Sequence, residues 1–284
     1  MERGTALSAV PRFAIFVVVF EFQSLYLWAI KNPGIVTDSR SGEDFSGGCI
    51  YIICFYGWYM QANFSEQLRR AISHERLDAY RQRGTSSDDA ELFTHYAWNM
   101  ALSESLYTPL QCLEVCLRNS IHDAATAYFK TDTWFDVPGV LLASELDKVR
   151  EAKGSLLKGK KTLDAGRIIP ELTFGFWTSL LDVRYEKVLW PWLLKPVVPN
   201  MPRRIRIRKN LSKRFNHIRT LRNRIFHHEP IWHWGDLPNQ HSDLLEAIRW
   251  VNPAMMTFVE PFDSFKSVYN NSISEYRKVV SALP

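Results

Sequence analysis

Downstream of Pro109, apolar residues recur at Leu110, Leu113, Leu117, Ile121, Ala124 and Tyr128, always three or four positions apart. Only an α-helix gathers such positions on one face, because 3.6 residues complete a turn and successive strand residues alternate sides. No sustained period-two pattern follows residue 60. The chain therefore reads as all-α, a single helical domain built from long helices that bury one stripe each.

The same spacing places the other helices. Leu68, Ile72, Leu77 and Tyr80 form a stripe that Gly84 closes, and the Ser/Asp-rich stretch 84–89 offers N-caps for the next helix. That helix carries Leu92, Tyr96 and Met100 towards Leu106, and Pro109 is expected to start or kink its successor. A loop at 131–138 carries Trp134 and Phe135, a helix spans 141–157, and a basic, mobile connection spans 154–166. Pro170 starts a helix whose inner side is Leu172, Phe176, Leu180 and Tyr185, before a break at Pro191, Pro196, Pro199 and Pro202. The next helix carries Ile207, Leu211, Phe215, Ile218, Leu221 or Arg222, and Ile225, and ends ahead of Pro230, since the residue before a proline resists helical geometry. Two more helices are expected at 241–259 and 271–283.

Residues 1–59 have a different character. They hold six of the thirteen glycines and two of the four cysteines, with four cations against five carboxylates. Residues 60–284 carry 31 cations against 25 carboxylates. The apolar run 13–20 is too short to span a bilayer, and extending it to Ile30 takes in Glu21, Gln23 and Ser24. The residues 27–31 lack the small-x-small pattern of a signal-peptidase site. The expectation is an N-terminal extension at 1–59, arising from a start assigned too early, followed by a helical domain at 60–284 that opens at Met60. A membrane anchor at 13–30 and a small subdomain are the alternatives, and a membrane partner is not expected. Four cysteines make no disulfide framework, which points to a reducing, cytoplasmic setting.

The net charge of +5 hides an uneven distribution. Between Glu186 and Glu229 no acidic residue occurs, while Lys187, Lys195, Arg203, Arg204, Arg206, Arg208, Lys209, Lys213, Arg214, Arg219, Arg222 and Arg224 do. A solvated face usually mixes signs so that i,i+4 pairs form, whereas an unmixed block attracts phosphate backbones. Arg203 through Arg224 are thus candidate RNA-binding residues.

The basic helix ends in Leu221-Arg222-Asn223-Arg224-Ile225-Phe226-His227-His228-Glu229-Pro230. Asn223 and His227 stack on one face, with Arg219 a turn earlier and Arg222 flanking. The negative end of the helix dipole favours protonated histidine there. Imidazole beside a fixed guanidinium suits RNA cleavage through the ribose 2′-OH, with His227 shuttling the proton, Arg222 stabilising phosphoryl charge and Asn223 orienting. The same residues also serve as ordinary C-terminal caps. On the earlier long helix, Glu114, Arg118 and His122 lie four apart with Asn119 alongside. They are read as support for the motif, against the plainer reading of a Glu114–Arg118 pair on a solvated face.

Arg222-Asn223-x-x-x-His227 resembles the R-x4-H signature of the HEPN superfamily of helical ribonucleases. Its setting, LRNRIFHHEPI, resembles the Abi-like (Abi_2) abortive-infection family. Four further blocks agree in order: LRRAISHERLDAY at 68–80, YAWNMALSESLYTPLQCLEVCLRNSIH at 96–122, Trp134-Phe135-Asp136, and GRIIPELTFGFWTSLLDVRYEKVLW at 166–190. The resemblance covers about residues 64–260 and leaves 1–59 unmatched. It implies a HEPN-like bundle of long helices and a metal-independent endoribonuclease of a phage-defence or toxin system, acting on tRNA or mRNA without a cofactor. Arg222 and His227 match its catalytic positions, and His228 and Glu229 fit the Abi-like variant in orientation or capping. It also implies a homodimer with a composite site and an antitoxin or defence partner. The alternative is a non-catalytic RNA-binding or regulatory module.

Other chemistries find little support. Cys112 and Cys116 lack a second ligand pair for zinc and read as small buried side chains. His228, Glu229 and His233 straddle Pro230 and form no H-E-x-x-H helix. Thr173 to Trp177 reads as packing, with Gly175 letting a neighbouring helix approach. Neither a Gly-rich phosphate loop nor a G-x-S-x-G elbow is present.

Overall fold

The computed structural model describes residues 64–81 and 88–283. The expectations for 1–59 and for an opening at Met60 lie outside these residues. The chain divides between His74 and Glu75 into two units. In the first, helix α1 spans 64–72, carries an Arg70–Glu66 pair at 2.8 Å, and ends where Ser73 turns left-handed (φ 79) with its N–H on the Arg69 carbonyl. Helix α2, His74–Asp78, follows directly. The single stripe expected through Tyr80 is therefore two short helices broken at Ser73.

Helix α3, Asp89–Phe129, is the axis of the second unit. The Asp88 carboxylate accepts from Ala90 N–H to start it, and Lys130 in left-handed geometry closes it. Leu102, Leu106, Leu110, Leu113, Leu117 and Ile121 line its buried stripe. Pro109 neither starts nor breaks this helix but lies buried inside it. Proline forfeits one i→i−4 hydrogen bond, and the burial of residues on both sides of it outweighs that local cost.

Around α3 come α4 (Ala143–Lys158), α5 (Ala165–Glu171), α6 (Phe174–Ser179), α7 (Trp190–Val197), α8 (Arg208–Phe226), α9 (Leu237–Val251), α10 (Pro253–Val259) and α11 (Phe265–Ser281). The helices α6, α7, α9, α10 and α11 pack directly on α3, while α8 leans on α6 and α9. Among the described residues there is no strand, so the architecture is an all-α bundle. No helix of the described residues is long and apolar enough to cross a membrane.

Several boundaries differ from the sequence expectation, each for a local reason. Helix α4 runs through Gly154 because Val149, Ala152 and Leu156 are buried along it. Pro170 sits within α5, which the Asp164 side chain caps, and a second cap at Thr173 begins α6. Pro191 occupies the first turn of α7, where no N–H is needed, so the proline-rich break contains a helix. The 241–259 helix is divided at Asn252, which is extended ahead of Pro253 and caps Met255 N–H with its side chain. The last helix begins earlier than expected, at Phe265, and bends at Ser272 (φ 57).

One buried polar knot anchors the far side of the core. The Tyr185 hydroxyl donates to Glu145 Oε2 at 2.6 Å and accepts from Leu142 N–H at 3.1 Å, while Ser144 donates to the same carboxylate oxygen. Burial pushes the Glu145 pKa up, but these hydrogen bonds outweigh it and hold the carboxyl below its ordinary value.

Candidate functional site

Helix α8 presents Leu211, Phe215, Ile218, Leu221 and Ile225 to the core, which turns its cations outward or sideways. Its end is a Schellman turn. His227 N–H donates to the Asn223 carbonyl, His228 N–H to Ile225 and Glu229 N–H to Arg224 at 2.8 Å. The left-handed position, normally glycine, is His228 (φ 56). Its carbonyl accepts from the Arg76 guanidinium at 3.4 Å. His227 is exposed, and its imidazole has no hydrogen bond or ion pair among the described residues. Asn223 is half-buried, one turn before it on the same face.

Arg222 points across to α3. Its guanidinium lies 3.6 Å from Glu114 Oε2 and stacks over the Phe226 ring at 4.1 Å. Phe226 in turn stacks with Tyr107 of α3 at 5.5 Å. Two long side chains of α8 thus meet two residues of α3 that share its outer face. Glu114 pairs with Arg222 and not with Arg118, whose Nε donates to Asn119 Oδ1 at 3.3 Å. His122 is turned elsewhere: its Nδ1 accepts from the buried Trp134 indole at 3.1 Å. Among the described residues no hydrogen bond or ion pair joins Arg118, Asn119 or His122 to 222–228. The structure therefore brings one member of the earlier set, Glu114, to the motif.

The basic residues also separate into two groups. Arg208, 10% exposed at its side chain, donates to the Leu181 carbonyl and pairs with Glu186 at 3.3 Å. Arg214 pairs with Glu246 at 2.6 Å and Asp243 at 3.2 Å and lies over the Trp250 ring. Arg224 pairs with Glu229 and covers Trp234. Arg206 caps the Pro199 carbonyl, and Arg219 donates to Asn216. Arg203, Arg204, Lys209 and Lys213 are exposed without a hydrogen bond or ion pair among the described residues. The acid-free run is neutralised in part by carboxylates from Glu186, the later helix α9, Glu114 and Glu229, a pairing that sequence neighbours could not disclose.

The weaker candidates fall into place as packing. Burial pushes the Cys116 thiol up to about 12 and raises that of Cys112, so neither is poised as a thiolate ligand. Among the described residues no three His, Cys, Asp or Glu side chains gather as a metal site. Phe174, Phe176 and Trp177 are fully buried core residues. Gly175 is not needed for close approach, because an added Cβ would meet only Thr173 Oγ1 at an ordinary 3.6 Å.

Three residues near the motif escaped the sequence reading. Asn99, buried on α3, accepts from the N–H groups of Ile231 and Trp232 at 2.7 and 3.2 Å and so fixes the chain just beyond the motif. A polar residue on the otherwise apolar stripe was its signal. Tyr107 had none, because its partner Phe226 is 119 positions away. Arg76 likewise reaches His228 across 152 positions.

Fold and site define an all-α protein whose basic helix ends in an Arg-x4-His turn, its histidine exposed and its half-buried arginine braced by a carboxylate from a second helix. No protein-family model, curated protein or solved structure matches the chain.

Proposed function

We propose that this chain is a metal-independent endoribonuclease of the Abi-like HEPN kind, cutting cellular RNA in a phage-defence or toxin setting. The observation that supports it most is the meeting of Glu114 with Arg222. A residue of the earlier family-like block comes within 3.6 Å of the motif arginine, beside an exposed histidine. In this reading His227 takes the proton from the ribose 2′-OH as that oxygen bonds to phosphorus. The bond from phosphorus to the 5′-oxygen breaks, and a proton returns to that oxygen. Arg222 carries the charge that builds on the non-bridging oxygens, and Glu114 holds the guanidinium in place. The products are a 2′,3′-cyclic phosphate and a 5′-hydroxyl end. Arg203, Arg204, Lys209 and Lys213 supply the attraction for the phosphate backbone. A homodimer that joins two motifs into one site, with RNA as tRNA or mRNA and a defence or antitoxin partner, completes the proposal.

The experiment is purified chain with total RNA, with and without EDTA, followed by end-group analysis. Cleavage that survives EDTA and leaves cyclic phosphate ends supports the reading; cleavage that needs a divalent ion or leaves 5′-phosphate overturns it.

A second reading draws on the same contact. Arg222 is already occupied by Glu114 and Phe226, as a structural arginine would be. This favours a non-catalytic RNA-binding module, in which His227→Ala leaves RNA affinity and growth inhibition unchanged.

A further inference from the structure

The acid-free run of the sequence begins well before the motif, on α7, and there it meets an unusual surface. Helix α7 lies along α3, where Ser120 Oγ donates to the Val197 carbonyl at 3.0 Å. Towards the other end of α7, Trp192 lies flat on Tyr128, with centroids 5.1 Å and planes 16° apart. Phe129 meets Tyr128 edge-on at 4.9 Å and steadies it. Neither ring of the stack belongs to the core: Trp192 is 54% and Tyr128 43% exposed. Single exposed apolar residues are common, but two nearly parallel aromatic rings stacked in solvent form a flat π-surface with a free face.

Exposed cations follow from that face along α7, while exposed Asp123 and Asp132 lie on and just beyond the α3 end that carries Tyr128. Lys195 stands one turn along α7, exposed and without an ion pair among the described residues. The Pro199 carbonyl just beyond the helix accepts from Arg206 at 3.3 Å, which brings the 203–206 segment to the end of α7. Arg203 and Arg204 are exposed there, and no carboxylate occurs from 187 to 228. An aromatic platform beside unpaired cations is how proteins hold single-stranded nucleic acid, since every base offers a π-face and every nucleotide a phosphate.

We propose that Trp192 and Tyr128 form a base-stacking platform for unpaired RNA. A nucleobase stacks on the outer face of Trp192, and its backbone runs past Lys195 towards Arg203 and Arg204. The exposed neighbours on α7 are Pro191, Lys195 and Pro196, while Leu193 is buried. No Leu or Val of α7 is exposed, so the apolar surface beside the stack is too small to seat the helix in a lipid interface, whereas the unpaired cations suit a charged polymer. The proposal rests on the reading that RNA is the ligand, and adds that the RNA is single-stranded where it crosses α7.

The test uses the full chain with His227→Ala, so that RNA is not consumed, and a labelled RNA of about 15 nucleotides, single-stranded or as a duplex. Trp192→Ala is expected to weaken single-strand binding on the order of 5- to 100-fold and duplex binding much less, with Trp192→Phe retaining most of the affinity. In the chain with Trp192 intact, 5-bromouridine RNA should cross-link to the peptide carrying Trp192. If Trp192→Ala binds single strands unchanged while an Arg203/Arg204 double alanine variant loses them, the platform is wrong and the RNA reading stands. If the chain with Trp192 intact binds neither form, both fall. A fall in oligomer mass on Trp192→Ala, or loss of binding to anionic vesicles with RNA affinity intact, also overturns the platform, assigning the stack to self-association or to a membrane.

Discussion

Two histidines near the ends of neighbouring helices show how differently one residue type is used in this molecule. His241, in the first turns of α9, is buried beside α11: its ring stacks on Phe265 at 4.3 Å, and its Nε2 lies 2.9 Å from Asp263. Asp263 also accepts from Phe265 N–H, so this pair ties α9 to the start of α11. His227 ends α8 in solvent, held only through its backbone. The first is enclosed by packing and a carboxylate; the second is presented by a turn. The difference teaches that the motif histidine is held in place by geometry elsewhere, in the Schellman turn and in Asn99, while its ring makes no hydrogen bond or ion pair among the described residues.

The comparison breaks most sharply under crossed substitutions. His227→Ala should lower RNA cleavage by about 10²- to 10⁴-fold, the usual worth of a general acid or base, with the thermal midpoint and helical circular dichroism unchanged. Undiminished cleavage would end the catalytic assignment. Asp263→Ala should do the reverse, lowering unfolding free energy by about 1–3 kcal/mol in chemical denaturation, the cost of a buried imidazole N–H left without its acceptor, while cleavage by the folded protein is kept. If both variants act on activity alone, the structural role given to His241 is wrong.

Acid sharpens the same contrast. Burial lowers the pKa of His241 from 6.5, although Asp263 pulls it the other way, and burial also lowers His95. Unfolded, each of these groups binds its proton near pH 6.5; folded, each resists it. Stability from these two is therefore complete above about pH 6.5 and is lost as pH falls below it towards the folded values. The midpoint in urea should drop between pH 7 and 5. In His241→Phe the drop should shrink, and an unchanged slope would remove His241 from the account.

How far the sequence disclosed these regions depends on the range of the interaction that built them. The stripe Leu211, Phe215, Ile218, Leu221 and Ile225 and the stop before Pro230 are local, set by helix period and proline sterics, and were legible. So was the all-α class. Pro109 locally favours a helix start or kink, and the surrounding core on α3 carries the helix through it. In sequence Glu114 has several companions, because i,i+4 spacing cannot say which of three stacked residues turns to a helix 108 positions away. Arg208 and Arg214 are indistinguishable in sequence from the exposed cations for the same reason, their carboxylates lying on other elements. His241–Asp263 and Asn99 went unread, since a polar residue on an apolar stripe signals a partner without naming it.

A smaller effect tests whether Glu114 holds or restrains Arg222. With both side chains about a quarter exposed, the pair is worth well under a buried one. Under the catalytic reading Glu114→Gln loosens the guanidinium and lowers cleavage a few-fold with RNA affinity nearly constant. Under the binding-module reading it removes a competing negative charge and raises affinity by about the same factor, measured by anisotropy at fixed salt.

The smallest expected change concerns the turn itself. His228 occupies the left-handed position that glycine fills at little cost, and its side chain is exposed with no hydrogen bond or ion pair among the described residues. His228→Gly should relieve the strain between Cβ and backbone and raise stability by about 1 kcal/mol or less, part of the gain being offset by the freer unfolded chain. The turn geometry, and with it the placement of His227, should persist, because the bonds from His228 and Glu229 N–H and the one from Arg76 all involve backbone atoms of the turn. A variant that is as stable or more stable and cleaves as well shows that only the shape of the turn matters. A variant that is more stable but cleaves poorly shows that the imidazole of His228 itself takes part, which makes the site one of two histidines.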